Sequence, residues 1–191
     1  MKPTGKIIII SAPSGCGKST IINAIGDRGH VDLKFSVSAT NRKPRPGETD
    51  GVSYHFLTDE QFREHIAAGD FVEYEEVYPG RFYGTLKSEI DRRLEEGENI
   101  VLDIDVRGGV NVKKLYPANS LSIFIQPPSI DALRERLTSR GTENEETLKQ
   151  RLDRAEYELT FIPRFDRTVV NDNLANAVVE TEQAVIDFIA K

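Results

Sequence analysis

Residues 7–19 read IIIISAPSGCGKS, four isoleucines followed by a loop of small residues and then Gly-Lys-Ser. The isoleucine run is apolar and β-branched, which predicts a strand buried on both faces of a parallel sheet. Gly15 and Gly17 let backbone N–H groups and the start of the next helix approach phosphate oxygens closely. The stretch nearly matches the pattern G-x-x-x-x-G-K-[ST], with Ala12 in place of the first glycine. It predicts a loop that binds nucleotide phosphates.

Two side chains of this loop predict its chemistry. Lys18 can reach the β- and γ-phosphates of ATP, and the Ser19 hydroxyl can ligate Mg²⁺. Cys16 is interpreted as a small filler, because no histidine or other base in the sequence is placed to activate its thiol. A glycine turn with a solvated lysine is the alternative, and the strand, glycines, lysine and serine in register disfavour it. The expected ATP contacts in the loop are Ala12, Pro13, Ser14, Gly15, Cys16, Gly17, Lys18, Ser19 and Thr20.

The composition limits the class of protein. The chain has 191 residues, of which 38% are hydrophobic and 29% charged, as in soluble globular proteins. The formal net charge is −6, whereas a nucleic-acid-binding protein is usually basic, so we expect no nucleic-acid partner. One cysteine excludes an internal disulfide, and the apolar run at 7–10 is too short for a signal segment or membrane span. We expect a cytoplasmic protein with no membrane partner, and the oligomeric state stays open.

Strands and helices alternate along most of the chain. Short apolar runs predict three further buried strands, at 101–105, 122–125 and 168–170. Apolar residues at helical spacing predict helices over 20–26, 87–96, 130–137, 148–159 and 174–189. Thr142 and Glu145 resemble a capping box that opens the fourth of these helices. The alternation predicts the α/β class, with a parallel sheet flanked by helices.

One segment, residues 36–85, breaks the alternation and predicts a small inserted lobe. Arg42, Lys43 and Arg45 fall within four residues of this segment, and two prolines stiffen it. Arginine forks suit a phosphate monoester, which they bind through paired hydrogen bonds. The cluster indicates a specific anion site in an acidic protein, and a solvated basic loop is the alternative.

Asp103 and Asp105 alternate on the second predicted strand, so we expect both on one face near its C-terminal end. Ligands bind at that end in open α/β sheets. The two acids predict either ordering of Mg²⁺ or positioning of an arginine. The alternative is that they bond loop amides at the strand exit.

Five stretches together resemble the guanylate kinase family, in that family's order and over nearly the whole chain. They read SAPSGCGKST (11–20), FSVSATNRKPRPGETDGVSYHF (35–56), FVEYEEVYPGRFYGT (71–85), VLDIDVRGG (101–109) and RGTENEETLKQRL (140–152). The resemblance implies one domain over residues 1–191, built as a P-loop kinase core with a small mixed α+β acceptor lobe and a helical lid. The core would comprise 1–35, 86–127 and 159–191, the GMP-binding lobe 36–85 and the lid 128–158.

The resemblance also implies which residues bind GMP. Glu73 would read guanine, because one carboxylate can accept from N1 and N2 together, whereas adenine would present an unpaired acceptor. Without the resemblance, Glu73 would be one of several acids on a solvated strand face. Ser38 and Thr85 would donate to O6 of the base. The GMP phosphate would be held by Arg42, Arg45, Tyr54 and Tyr83. Asp105 would support the site, in a pair with Arg42.

On the ATP side, the resemblance implies a lid that folds arginines over the phosphates. The cations of this region are Arg134, Arg136, Arg140, Lys149, Arg151 and Arg154. The family pattern implies this role for Arg136, Arg140 and Arg151, and i,i+4 pairing with nearby glutamates is the alternative. Asp103 would contact Mg²⁺ through water, with Ser19 as the other metal-side residue, and Asn171 would lie near adenine. The expected catalytic residues are Lys18, Arg42, Arg136, Arg140 and Arg151.

The implied reaction transfers the γ-phosphate of ATP to GMP, giving ADP and GDP, with Mg²⁺ as cofactor and ATP and GMP as the small-molecule partners. We expect no general base, because the attacking phosphate oxygen is already anionic. Two alternatives remain. One is a non-enzymatic guanylate-kinase-like module that binds phosphorylated peptides, which would not need Lys18, Ser19 or the lid arginines. The other is a related kinase with a different phosphate-bearing acceptor, against which Glu73 argues.

Overall fold

The computed structural model describes residues 5–139 and 145–191. In chain order the strands are β1 (Ile7–Ser11), β2 (Lys34–Phe35), β3 (Ala39–Thr40), β4 (His55–Phe56), β5 (Phe71–Tyr78), β6 (Arg81–Leu86), β7 (Ile100–Asp103), β8 (Ser120–Gln126) and β9 (Arg167–Val170). The helices are α1 (Lys18–Arg28), α2 (Asp59–Ala68), α3 (Lys87–Glu96), α4 (Val106–Leu115), α5 (Ile130–Ser139), α6 (Glu145–Leu159) and α7 (Leu174–Ile189). None of the helices in these two ranges has the length and apolarity needed to cross a membrane.

The larger sheet has five strands in the order β2-β7-β1-β8-β9, and every neighbouring pair is parallel. The isoleucines of central β1 alternate between its two faces, and each is at most 1% exposed. α1 and α7 cover the face of Ile8 and Ile10, whereas α3 and α4 cover the face of Ile7 and Ile9. The predicted class, a parallel sheet flanked by helices, is confirmed, as are the four predicted strands and five predicted helices, with shifted ends.

Helix α4 was not predicted, because Gly108 and Gly109 near its start are poor helix formers. Their small size serves packing. A Cβ atom on Gly109 would lie 2.9 Å from Ser11 Oγ, and one on Gly108 would lie 3.0 Å from the Glu73 side chain. The two glycines therefore let α4 lie close to both β1 and β5, next to the carboxyl ends of the central strands.

A second sheet lies within the predicted lobe segment, 36–85. Its order is β4-β3-β6-β5, with β3 and β4 parallel and the other pairs antiparallel, which confirms the mixed character. The lobe has its own aromatic core, in which Phe62 of α2 stacks on Phe71 at 4.5 Å and on Phe82 at 5.5 Å between ring centroids. α2 opens with a capping box between Thr58 and Gln61, which the sequence analysis did not identify.

The pair α5 and α6 packs directly on the phosphate loop. Leu133 and Leu137 of α5 and Leu152 of α6 form one buried cluster with Cys16 of the loop. The cysteine is fully buried and has its pKa raised to about 12 by that burial, as expected of an inert filler. The predicted capping box at Thr142 lies outside the described residues.

Candidate active site

The phosphate loop connects β1 to α1 and has the shape that its glycines permit. Gly15 and Gly17 have φ values of 92° and 85°, in the left-handed region that other residues rarely adopt. A Cβ atom on Gly17 would lie 2.6 Å from the amide nitrogen of Asn171, so the position also lacks space for a side chain. Gly17 is the N-cap of α1 and makes no side-chain cap, which leaves the first N–H groups of the helix directed at the loop.

Lys18, Ser19 and Asp103 meet at the mouth of this loop. The ammonium of Lys18 lies 2.6 Å from one carboxylate oxygen of Asp103 and 3.3 Å from the carbonyl of Ile104. The Ser19 hydroxyl lies 3.4 Å from the other carboxylate oxygen of Asp103. Adjacent parallel pairing of β1 with β7 brings the acid here, as the sequence predicted. A hydroxyl and a carboxylate side by side supply the hard oxygen ligands that Mg²⁺ prefers.

Asp105 has a different place from the one predicted. β7 ends at Asp103, so the expectation that both acids alternate on one strand is wrong. Asp105 is instead the N-cap of α4, and its carboxylate accepts a 2.7 Å hydrogen bond from the Gly108 N–H. An N-cap acid satisfies one of the unpaired donors of a helix start, which explains why the strand stops before it. The alternative considered from sequence was a carboxylate bonded to loop amides, and Asp105 does bond a backbone amide, but one in the first turn of α4.

Arg42 is the centre of the acceptor lobe's polar cluster, and its partner is Glu48. Both oxygens of Glu48 accept from the Arg42 guanidinium at 2.6 Å, and one also accepts from the Arg45 backbone N–H at 2.7 Å. The expected pair of Arg42 with Asp105 is not formed. These bonds lower the pKa of Glu48 to about 2 and raise the pKa of Arg42. Sequence reasoning missed Glu48, because no sequence pattern shows that this acid faces Arg42.

Two tyrosines complete this cluster. Arg42 donates through Nε to the Tyr83 hydroxyl at 3.2 Å and lies over the Tyr54 ring at 4.9 Å from its centroid. The two tyrosine rings contact each other at 5.8 Å between centroids. The structure therefore brings together three of the four residues expected around the acceptor phosphate. The fourth, Arg45, is exposed at the edge of the cluster.

Glu73 and Thr85 lie opposite each other on β5 and β6. The Thr85 hydroxyl donates to Glu73 at 2.7 Å, so its hydrogen is engaged with the carboxylate. Burial raises the pKa of Glu73, and the neighbouring charges of Asp105 and Glu75 raise it further. Ser38 precedes β3, beside the pair of Ala39 with Gly84, and is half-buried near this end of the sheet.

Two cavities of about 610 Å³ each lie between these elements. The loop cavity is lined by residues 12–15 and 17–20 together with Asp103, Asp105, Arg151 and others. The interlobe cavity lies between β5, the start of α4 and α6, and its lining includes Glu73, Asp105 and Tyr157. The Arg42 cluster is not part of either lining.

The lid helices reach the loop through two arginines. Arg151 donates to the Ser14 hydroxyl at 3.1 Å, and Arg136 donates to the backbone carbonyl of Asn171 at 2.8 Å. Arg140 lies outside the described residues. Asn171 is 5% exposed and donates through its side chain to the Cys16 carbonyl at 2.8 Å, so its amide supports the loop. Sequence reasoning had placed this residue near adenine, a role that no contact here tests.

Comparisons with known proteins agree with this geometry. The family model described as guanylate kinase matches residues 4–187. A guanylate kinase of Bacteroides thetaiotaomicron is 54% identical, covering 98% of this chain and 92% of its own, and one of Porphyromonas gingivalis is 51% identical, covering 97% and 99%. The crystal structure of guanylate kinase from Anaplasma phagocytophilum superposes with a TM-score of 0.71 at 27% identity, covering 100% of this chain and 89% of its own.

Proposed function

This chain belongs to the guanylate kinase family, and we propose how its residues divide the work of that family's reaction. The enzyme transfers the γ-phosphate of ATP to GMP and gives ADP and GDP. One observation carries the residue-level proposal. A complete phosphate loop, with Lys18 paired to Asp103, opens into a cavity that shares a wall with the cavity containing Glu73.

The loop is the proposed donor site. Its N–H groups and Lys18 bind the ATP phosphates, and Lys18 moves its charge from Asp103 to the phosphates when they bind. Arg136 and Arg151 already contact the loop or its support, so closing the lid requires little rearrangement of them. Arg140 shares this role by family resemblance. Ser19 and Asp103 would hold Mg²⁺, which when bound screens the negative charge of the phosphates.

The acceptor lobe is the proposed GMP site. The Arg42 cluster, with Arg45 at its edge, binds the GMP phosphate. The carboxylate of Glu73 accepts from N1 and N2 of guanine, and these donors stabilise its ionised form against the effect of burial. Since the Thr85 hydroxyl donates to Glu73, we propose that Thr85 orients that carboxylate and that Ser38 donates to O6 of guanine. Asp105 supports the site through the start of α4.

Catalysis rests on alignment and charge. An anionic oxygen of the GMP phosphate attacks the γ-phosphorus in line, so no side chain is needed to remove a proton. Lys18 and the lid arginines stabilise the charge that spreads over the transferred group. Closure of the lid and the acceptor lobe excludes water, which would otherwise hydrolyse ATP.

We further propose the division into a core (1–35, 86–127 and 159–191), a GMP-binding lobe (36–85) and a lid (128–158). The lobe's separate aromatic core and the cluster between the lid and the loop support these boundaries. The single cysteine supports a reducing, cytoplasmic location. The acidic net charge supports small-molecule partners over nucleic acid.

The test is ADP release from MgATP with GMP, AMP, CMP or UMP as acceptor, on the wild type, Lys18→Ala and Glu73→Gln. We expect turnover with GMP alone, loss of about 10³-fold in Lys18→Ala, and reduced selectivity in Glu73→Gln. Equal turnover with AMP would refute the guanine-reading role of Glu73 and favour a kinase with another acceptor. No turnover despite tight GMP binding by folded protein would favour the phosphopeptide-binding module.

A further inference from the structure

Four residues line both the loop cavity and the interlobe cavity, and they form the wall between the two. They are Glu75 of β5, Asp105 at the start of α4, and Arg154 and Glu158 of α6. The loop cavity holds Lys18 on one side of this wall, and the interlobe cavity holds Glu73 on the other. The wall therefore separates the proposed ATP site from the cavity in which Glu73 would read guanine.

The charge of the shared wall is unusual for such a place. Among the residues that the structure describes, three of the four in the wall are acids, and Arg154 is the one cation. Donor and acceptor phosphates bring several negative charges together, and like charges at short distance repel each other. A cation at the wall would reduce this repulsion further, and among the described wall residues Arg154 can supply it.

Glu158 explains how Arg154 is held. Its side chain is 8% exposed, and its carboxylate accepts from Nε of Arg154 at 2.9 Å, one helical turn earlier on α6. A buried carboxylate is costly without a partner, so this pair fixes the guanidinium at one edge. A second nitrogen of the guanidinium, Nη2, lies at the longer distance of 3.5 Å from Glu75 of the acceptor lobe, and a stronger anion can displace this contact.

We propose that Arg154 bridges the donor and acceptor phosphates during transfer, and that Glu158 is the positioning residue that aims it. Glu75 stays in contact with Nη2 of the guanidinium until the phosphates arrive. The inference rests on the proposed function, because it needs ATP on the loop and GMP in the lobe. It adds a phosphate contact beyond Lys18, Arg136, Arg140 and Arg151.

A purely structural reading is that Arg154 ties the lid to the lobe through Glu75. The two readings differ in kinetics. A structural tie would change the stability of the fold or the affinity for either nucleotide. Loss of a bridge that forms only when both phosphates meet would lower kcat and leave the separate affinities nearly unchanged, because the bridge acts in the transition state.

The decisive variant is Arg154→Gln, with Arg134→Gln as its matched control on the outer side of the same lid, where Arg134 lines neither of the two cavities. We expect kcat to fall about 10²-fold in Arg154→Gln, with the KM values for ATP and GMP each within about threefold of wild type. Arg134→Gln should retain the wild-type rate. A kcat within threefold of wild type for Arg154→Gln, or an equal loss in both variants, overturns the proposal.

Two further measurements keep the proposal testable if a variant is unstable. Guanidinium added to Arg154→Ala should restore part of kcat and should have no effect on Arg134→Ala. Glu158→Gln should lower kcat about tenfold at unchanged KM. It should also weaken binding of a single ligand in which five phosphates link adenosine to guanosine, and weaken it more than binding of ATP or GMP alone. Absence of rescue, or equal weakening of all three ligands, contradicts the bridge. A wild type without GMP turnover would instead refute the proposed function itself.

Discussion

The phosphate loop and the Arg42 cluster both suit phosphate groups, but they are built in opposite ways. The loop takes its shape from backbone conformation, with two glycines at positive φ and a helix start behind them. The Arg42 cluster takes its shape from side chains of three segments, with Glu48, Tyr54 and Tyr83 around one guanidinium. A site built from backbone tolerates few substitutions at its glycines, whereas a site built from side chains depends on each of its partners separately.

The largest expected effect is on the backbone site. Gly17→Ala would place a Cβ atom against Asn171 and force an unfavourable φ, so the loop must change shape. We expect kcat/KM for ATP to fall about 10³-fold or more, measured by steady-state kinetics, since misplaced phosphates lose alignment with the acceptor.

The matched control for this variant is Gly26→Ala, inside α1, where no heavy atom lies within 4 Å of the added Cβ. It should raise the free energy of unfolding by about 0.5–1 kcal/mol and leave the kinetics unchanged. Similar kinetics for the two variants would contradict the view that the donor site depends on the shape that Gly17 gives the loop.

The next effect tests the side-chain site. Glu48→Gln removes the charge that holds Arg42 and the Arg45 backbone, so the guanidinium loses its fixed direction. We expect KM for GMP to rise about tenfold while KM for ATP and the affinity for guanosine, which lacks the phosphate, stay as in the wild type. Calorimetry with both ligands checks this, with Glu64→Gln on exposed α2 as control. Equal weakening of guanosine would show a general loss of lobe structure.

The same carboxylate predicts a pH dependence. The pKa of Glu48 falls from about 4.5 to about 2 through its bonds to Arg42, so its ionised form stabilises the folded state. That contribution is complete above about pH 4.5 and is lost as the pH falls toward 2. Urea unfolding at several pH values should therefore show a stability difference between wild type and Glu48→Gln that shrinks below about pH 4.5. A difference that is unchanged at pH 3 would contradict the assignment.

The smallest effect separates lobe stability from lobe chemistry. Thr58→Ala removes half of the capping box of α2 and should cost about 1 kcal/mol of unfolding free energy. Since Thr58 is remote in sequence from Arg42 and Glu73 and binds only within the helix start, KM for GMP should not change. A raised KM would mean that the acceptor site depends on the end of α2.

Much of the fold was predictable because its determinants are local. The isoleucines of β1, the apolar stripes of α3 and α7 and the glycines of the loop each indicate structure within a few residues. The failures have physical reasons. Asp105 continues the alternation of β7 in sequence, but it caps the start of α4, so the strand ends before it. α4 was missed because Gly108 and Gly109 are poor helix formers, and they are present because they allow close packing against other elements.

The site was predictable in part. Lys18 and Ser19 belong to a contiguous motif, and the acceptor residues came from family resemblance. Glu48 was missed because a charged residue in a turn has no characteristic spacing, and its importance depends on which side chain faces it. The wall formed by Glu75, Arg154 and Glu158 depends on α6 meeting β5, two segments about 80 residues apart in the sequence.

Deamidation of Asn171 would inactivate the enzyme slowly. The side chain of Asn171 must donate to the Cys16 carbonyl, and the residue's own carbonyl must accept from Arg136. Deamidation to aspartate would replace that donor with an oxygen and place a negative charge against a carbonyl in a buried position. The reaction requires the next backbone nitrogen to attack the side chain, which the ordered strand end hinders. Since unfolding exposes the amide to this slow change, loss of activity on storage should follow the fraction of the protein that is unfolded.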